Sequence, residues 1–224
     1  MKKRIKIDSA LLSIIIIFTG VLYIFKGLYW QSLLVDNIKD CFGLVLILKG
    51  SFLRMSGRGH KKAHSKRSES LVTSGPYTLT RNPMYLGSFL LGCGFVLLVW
   101  PLWLLPVFAW LFYVRFNKQM IKEEEFLTKS FGETYKTYCR KVPRLFPKIS
   151  KMLKAKTREV FNFDEMFSTK ESRNLWTWPL LAFVLESLQE ILIFGGTNLV
   201  RTLLLFIITF CVYLCVFMVS YQKN

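Results

Sequence analysis

Six apolar runs, separated by turns and by strongly basic segments, limit the fold of this chain more than any other feature. The runs cover residues 10–25 (extendable to Trp30), 41–53, 83–99, 102–116, 175–194 and 199–221. A helix needs about 20 predominantly apolar residues to cross a bilayer core. Residues 41–53 fall short of that and are interrupted by Lys49. Trp100-Pro101 leaves room only for a turn, so runs three and four read as a tight helical hairpin. Gly195-Gly196-Thr197-Asn198 is the turn between runs five and six.

Charge decides how many runs cross. Of 31 Lys+Arg, 28 lie at the N-terminus, in 49–82, in 115–175 and at the C-terminus; the others are Lys26, Lys39 and Arg201. Six crossings put all four basic segments on one side, which the positive-inside rule makes the cytoplasm. Dropping 41–53 would move the first basic loop to the other side, so the charge pattern retains that short run. The expected fold class is an all-α, polytopic membrane protein with about six transmembrane helices and both termini cytoplasmic. Four segments follow: N-terminal helices and basic loop (1–69), a core around the hairpin (70–147), a basic linker (148–174) and a C-terminal helix pair (175–224). The start, Met1 to Lys6, is basic like a signal peptide but no small-x-small cleavage site follows, so a retained anchor is expected.

A net charge of +17 beside 52% hydrophobic residues excludes intrinsic disorder. It also needs no nucleic acid, because the basic residues lie where membrane orientation demands them. Five cysteines without a CxxC, and two histidines (His60 and His64), offer no zinc-type ligand spacing; no metal is expected. Glu186 and Glu190 share one helical face within run five; ionisable residues in a span point to function, or, with Ser187 and Gln189, to a short or tilted helix whose polar face meets protein or the interface. Residues 148–162 alternate lysines with Ile149, Met152, Leu153, Val160 and Phe161, the pattern of a basic amphipathic helix on an anionic membrane surface, with a solvated linker as the alternative.

Two stretches carry residues that do more than pack. The first runs Leu71-Val72-Thr73-Ser74-Gly75-Pro76-Tyr77, then Arg81-Asn82-Pro83-Met84-Tyr85-Leu86-Gly87. Gly75-Pro76 marks a turn, Pro83 suits the first turn of a helix, and Asn82 falls near its N-cap. Such an N-terminus exposes N–H groups that attract carboxylates. The second stretch holds Arg115, Gln119, Glu123-Glu124-Glu125, Phe131-Gly132, Tyr135, Tyr138 and Val142-Pro143. Gln119 and Glu123, four residues apart, share a helical face.

Together these stretches resemble the paired signature of the isoprenylcysteine carboxyl methyltransferase family and its phospholipid-methyltransferase relatives. The signature is Leu-Val-x-x-Gly-x-Tyr, then Arg-His/Asn-Pro-x-Tyr-x-Gly entering a hairpin, then Glu-Glu-x-x-Leu-x-x-x-Phe-Gly-x-x-Tyr; the match covers about residues 70–147. The resemblance implies a polytopic enzyme with a cytoplasm-facing pocket for S-adenosylmethionine. Its acceptor would be lipid-like or prenylcysteine-like, its other partners membrane lipids. By resemblance, Leu71 and Val72 wall the adenine beside Ser70 and Glu69. Tyr77 and Tyr85 line the pocket, and Asn82, Pro83 and Met84 face the amino-acid end of the cofactor. Glu123 accepts hydrogen bonds from the cofactor, and Glu124 supports it. Arg115 and Gln119 are assigned to the substrate.

The chain departs from the family twice. Asn82 stands where members often carry His, so no acid–base role is expected there. Gln119 stands where prenylcysteine enzymes place an Arg, and Gln cannot form a bidentate clamp on a carboxylate. Two other readings use the same scaffold: a sterol-reductase-like enzyme using NADPH, and a non-catalytic lipid-binding membrane protein.

Overall fold

The structure, a computed structural model, describes residues 15, 17–29, 32–65, 70–148, 150–151, 156–196 and 198–222. Among the described residues every regular element is helical. These are α1 (17–24), α2 (Leu33–His64), α3 (Pro83–Val99), α4 (Leu105–Lys141), α5 (Thr157–Val160), α6 (Phe163–Phe167), α7 (Asn174–Phe194) and α8 (Leu199–Gln222). The all-α expectation holds. The charged start, Trp30 and Glu69 lie outside the described residues.

α2 is the organising element. Its apolar run ends at Leu53, yet the helix continues for three more turns to His64. Packing explains the extension: Met55, Ser56 and His60 are buried, and burial against neighbours sustains a helix beyond its hydrophobic stretch. Leu44, Ile47 and Leu48 of α2 are fully buried with Leu98 of α3, Met166 of α6 and Ala182 of α7.

Glycine sets how closely α2 and α3 approach. Gly43, Gly50 and Gly57 recur every seven residues on α2, and Gly87 and Gly94 do the same on α3. A Cβ at Gly50 would stand 2.5 Å from the Gly87 carbonyl oxygen, and one at Gly94 2.5 Å from that of Gly43. At Gly57 it would press on Pro83 and Met84 at 3.2 Å. The two backbones therefore touch along a seam of small residues, the means by which helices pack where no water drives them together.

The fourth apolar run extends in the same way. After a 3₁₀ turn at Leu102–Leu104, α4 runs 37 residues to Lys141 with a break at Gly132 (φ 50°, ψ −126°). That positive φ favours glycine and lets the last turns change direction. The signature's Phe131-Gly132 is thus a hinge within one long element.

Two helical stretches, Lys170–Phe194 and Leu199–Gln222, are long and apolar enough to cross a membrane. Among the described residues the expected number of about six is not reached by that measure. α3 has 17 residues, α2 carries Asp36, Lys39 and Asp40 in its first turns, and the apolar half of α4 ends at Arg115. Trp176, Leu180, Val200, Ile208 and Val216 project from α7 and α8 without a protein partner surface covering them, each more than half exposed. Trp110 and Leu111 do the same on α4.

The continuous helix expected over 148–162 is interrupted where it is described. Lys156 and Phe161 are extended and only Thr157–Val160 forms a turn between them; residues 149 and 152–155 lie outside the described residues. Val160 is buried and its carbonyl accepts from Ser56 Oγ at 2.6 Å, while Phe161 packs edge-on against Phe217. Tertiary contacts, not amphipathic spacing, decide the shape of this part of the linker. It leads into α6, whose first turn is capped by the Asn162 side chain.

Candidate functional site

The two signature stretches meet at the N-terminal end of α3. Tyr85, one turn into α3, donates its hydroxyl to Glu123 Oε1 at 2.7 Å. Gln119 Nε2 donates to the same oxygen at 3.1 Å from one turn earlier on α4. Three residues singled out in the sequence thus form one group around a half-buried carboxylate. Arg115 lies a further turn along the same face of α4, with its guanidinium carbon 5.7 Å from the Phe116 ring centroid. That ring in turn packs on Tyr85 at 5.6 Å.

Glu124 faces a different partner set. Arg81 approaches it at 3.1 Å and Arg144 Nε at 3.2 Å. Arg144 Nη1 donates to Asn117 Oδ1 at 2.9 Å, and its carbonyl accepts from Asn82 Nδ2 at 3.0 Å and Thr80 Oγ1 at 3.2 Å. Arg81 N donates to the Pro143 carbonyl at 2.9 Å. Arg144 is the knot between the segment after α4 and the approach to α3. Sequence reading passed over it: it stands beside the noted Val142-Pro143 with no motif of its own. Burial alone would lower the pKa of Arg81, but the Glu124 carboxylate together with Cys139 and Tyr135 outweighs it and raises the value.

Asn82 occupies the N-cap position of α3 without capping through its side chain. The expected cap is replaced by the bond to Arg144. Pro83 is buried at the first helical position, and Met84 is half-buried against Gly57. The positive end of α3 is therefore not neutralised by its own cap residue.

Tyr77 donates to the Gly57 carbonyl at 3.2 Å, and its own carbonyl accepts from Tyr138 at 2.7 Å. Burial, and then the Glu123 charge, raise the Tyr77 pKa above its ordinary value. It stays a neutral donor beside the Tyr85–Glu123 group. Burial likewise raises Tyr138, followed by its tyrosine neighbours. Leu71 and Val72 are half-buried in an extended approach, and Ser70 is exposed, its hydroxyl donating to the His64 carbonyl at 2.6 Å.

His60 supports this loop from below. It bonds Ser74 Oγ at 2.8 Å through one ring nitrogen and Glu165 at 2.7 Å through the other. Gly75 (φ 57°) passes so close that a Cβ there would stand 2.8 Å from the imidazole. Sequence reading considered His60 only as an absent zinc ligand. Its partner Glu165 lies 105 residues away, so no local signal could have paired them.

The phospholipid methyltransferase family matches residues 38–134 of the chain. A protein-S-isoprenylcysteine O-methyltransferase from Xenopus laevis is 37% identical over 134 residues, covering 54% of this chain and 42% of the relative. The Schizosaccharomyces pombe protein of the same name is 32% identical over 133 residues, with 54% and 56% covered. A cobalt-zinc-cadmium resistance protein from Cupriavidus metallidurans is 33% identical over 85 residues, with 38% and 39% covered. The chain spans about half the length of the first two relatives. No solved structure matches.

Proposed function

We propose that the chain, which the phospholipid methyltransferase family matches over residues 38–134 and which is similar to isoprenylcysteine methyltransferases over about half its length, is an integral-membrane methyltransferase. It would transfer a methyl group from S-adenosylmethionine to a lipid-like or prenylcysteine-like acceptor at the cytoplasmic membrane face. The observation that carries this reading is the convergence of Tyr85 and Gln119 on the half-buried Glu123 carboxylate. It lies beside an α3 N-terminus whose own cap residue is engaged elsewhere.

The residues fit the cofactor by the chemistry of their donors and acceptors. Glu123 is an anionic acceptor suited to hydroxyl or ammonium donors. The start of α3 at Asn82, Pro83 and Met84 suits a carboxylate. Tyr77 and Tyr85 offer aromatic walls with fixed hydroxyls, and Leu71 and Val72 an apolar surface beside Ser70. When bound, the cofactor supplies an electrophilic methyl on a sulfonium. The chain's part is to orient both reactants in line and keep water away from the nucleophile. Glu123 is held in place by two donors on different helices, so it would meet the cofactor with little reorganisation.

Gln119 donates to Glu123, so it acts here on the cofactor's acceptor rather than as a cationic substrate clamp. Arg115 is the cation of the same face and is assigned to the acceptor's polar head. The apolar outer faces of α4, α7 and α8 support a membrane location. We retain six crossings with both termini cytoplasmic, formed by α1, α2, α3, the first half of α4, α7 and α8, and the four-segment division of the chain. The signature residues and the basic segments would then share one side, within reach of a water-soluble cofactor.

The test is incubation of membranes containing the full chain with methyl-labelled S-adenosylmethionine, followed by mass spectrometry of lipids and small molecules. The expected result is a labelled apolar product whose rate of formation falls about 100-fold with Glu123→Ala. Retention of both cofactor binding and turnover by Glu123→Ala would overturn the site.

A further inference from the structure

At the other end of α2, roughly 36 Å along the helix from His60 to Asp36, four carboxylates meet. Asp36 and Asp40 come from α2, Glu186 and Glu190 from α7, and all four are buried. Oxygens of Asp36, Glu186 and Glu190 lie within 4.8 Å of one another. Asp40 faces Glu186 and Glu190 from the next turn of α2.

Partners are only partly present. Lys39 pairs with Asp36 Oδ1 at 2.7 Å. Arg201 pairs with Glu190 Oε1, and Thr202 donates to Glu190 Oε2 at 3.0 Å. Asp36 Oδ2, Asp40 Oδ1 and both oxygens of Glu186 are buried without a hydrogen-bond partner. Glu186 is 0% exposed. Gln189, on the same turn of α7, is also fully buried with neither amide atom bonded. Four carboxylates against two cations leave a formal charge of −2 in a dry place. Burying an unpaired carboxylate is costly unless a cation or a proton joins it.

We propose that this cluster binds one divalent cation of the calcium class. The donors are oxygens only, which suits hard cations and excludes a thiolate or imidazole site. Ligands bound at about 2.4 Å on opposite sides of Ca²⁺ stand about 4.8 Å apart, so the three carboxylates already lie at coordinating separations. One divalent charge neutralises the excess. A cavity of about 310 Å³ is lined by Asp36, Lys39 and Tyr29, and a groove beside Arg201 and Asn198 runs along α8. Bound there, the cation would tie α2 to α7 and, through Arg201 and Thr202, to α8. The absence of Cys and His spacing in the sequence concealed this site, because its ligands are acids 150 residues apart. It does not depend on the methyl-transfer reading.

The experiment uses the full chain purified in detergent. After EDTA treatment, its melting temperature is measured with CaCl₂, MnCl₂ or MgCl₂ added, and calcium content is read by elemental mass spectrometry after exchange. The expected result is one calcium per chain and a rise of about 5 °C at a concentration ~100-fold above Kd. Glu186→Gln and, separately, Asp36→Asn should abolish the rise while Glu123-dependent cofactor binding persists. Should Glu186→Gln fail to fold, Asp36→Asn decides. No rise with any of the three cations, or a rise that survives in both variants, would overturn the proposal. So would a Glu186→Gln protein more stable than wild type in EDTA with no calcium in the wild type, the signature of a shared proton.

Discussion

The two ends of α2 treat acidic residues in opposite ways. Near His60, each acid the site depends on meets a donor: Glu123 has Tyr85 and Gln119, Glu124 has Arg81 and Arg144, and Glu165 has His60. Near Asp36, acids meet acids, and the group facing Glu186 is another carboxyl, that of Asp40. The first end is internally matched, so its charges fix loops and leave Glu123 poised at a half-open surface. The second is balanced only if something joins it. Both hang on the same helix and the same glycine seam, which makes the comparison testable.

The largest effect should come from the seam they share. Gly50→Leu places a side chain against the Gly87 carbonyl and Leu91, and overpacking of this kind costs about 3 kcal/mol or more when backbone cannot retreat. Both ends should fail together, with loss of the monodisperse detergent-solubilised protein and of both ligand responses. A stable Gly50→Leu protein would separate the two ends. Next comes Glu123→Ala, expected to lower methyl transfer by about 100-fold, the scale of losing a preorganised polar contact. It should leave the calcium-dependent rise in melting temperature intact. Loss of both responses would show the ends to be coupled.

Glu124→Gln probes the matched end through stability. It removes the charge that holds Arg81 and Arg144, and partly exposed ion pairs contribute up to about 1 kcal/mol each. Thermal unfolding should shift down by several degrees, while residual folded protein still binds the cofactor through Glu123. If Glu124→Gln abolished cofactor binding at unchanged stability, the roles of the neighbouring glutamates would have to be exchanged.

The two ends also differ in how far the sequence disclosed them. The matched end is written in nearly contiguous residues: Arg81 to Tyr85 start one helix, and Gln119 to Glu124 share two turns of the next. Helical periodicity alone places Gln119 beside Glu123. Arg144 and His60 escaped because their roles depend on chain returns over dozens of residues. At the far end, Glu186 and Glu190 were legible as a polar face, but nothing local pairs them with Asp36. The helix pattern was legible where hydropathy ends an element, as in α3. It failed where packing prolongs one, as in α2 beyond Leu53. The glycine period of seven was visible in the chain, yet its meaning required two antiparallel helices in contact.

The smallest expected effect concerns the tyrosines of the matched end. Tyr138 donates to the Tyr77 carbonyl at 2.7 Å, and burial raises its pKa above the ordinary value near 10. Between that ordinary value and its folded value, the folded chain holds a proton that the unfolded chain has released. Stability must then fall as pH rises, because the unfolded state binds fewer protons. Below about pH 10 that contribution is fully present. Tyr138→Phe should cost about 1 kcal/mol at neutral pH, the usual net value of one hydrogen bond. Because phenylalanine does not titrate, the deficit should narrow above pH 10, with Tyr77 and Tyr135 preserving part of the alkaline decline. Melting curves of both proteins from pH 7 to 11 check this. A constant gap across that range would mean that Tyr138 does not titrate between the two states, and that its hydroxyl serves geometry alone.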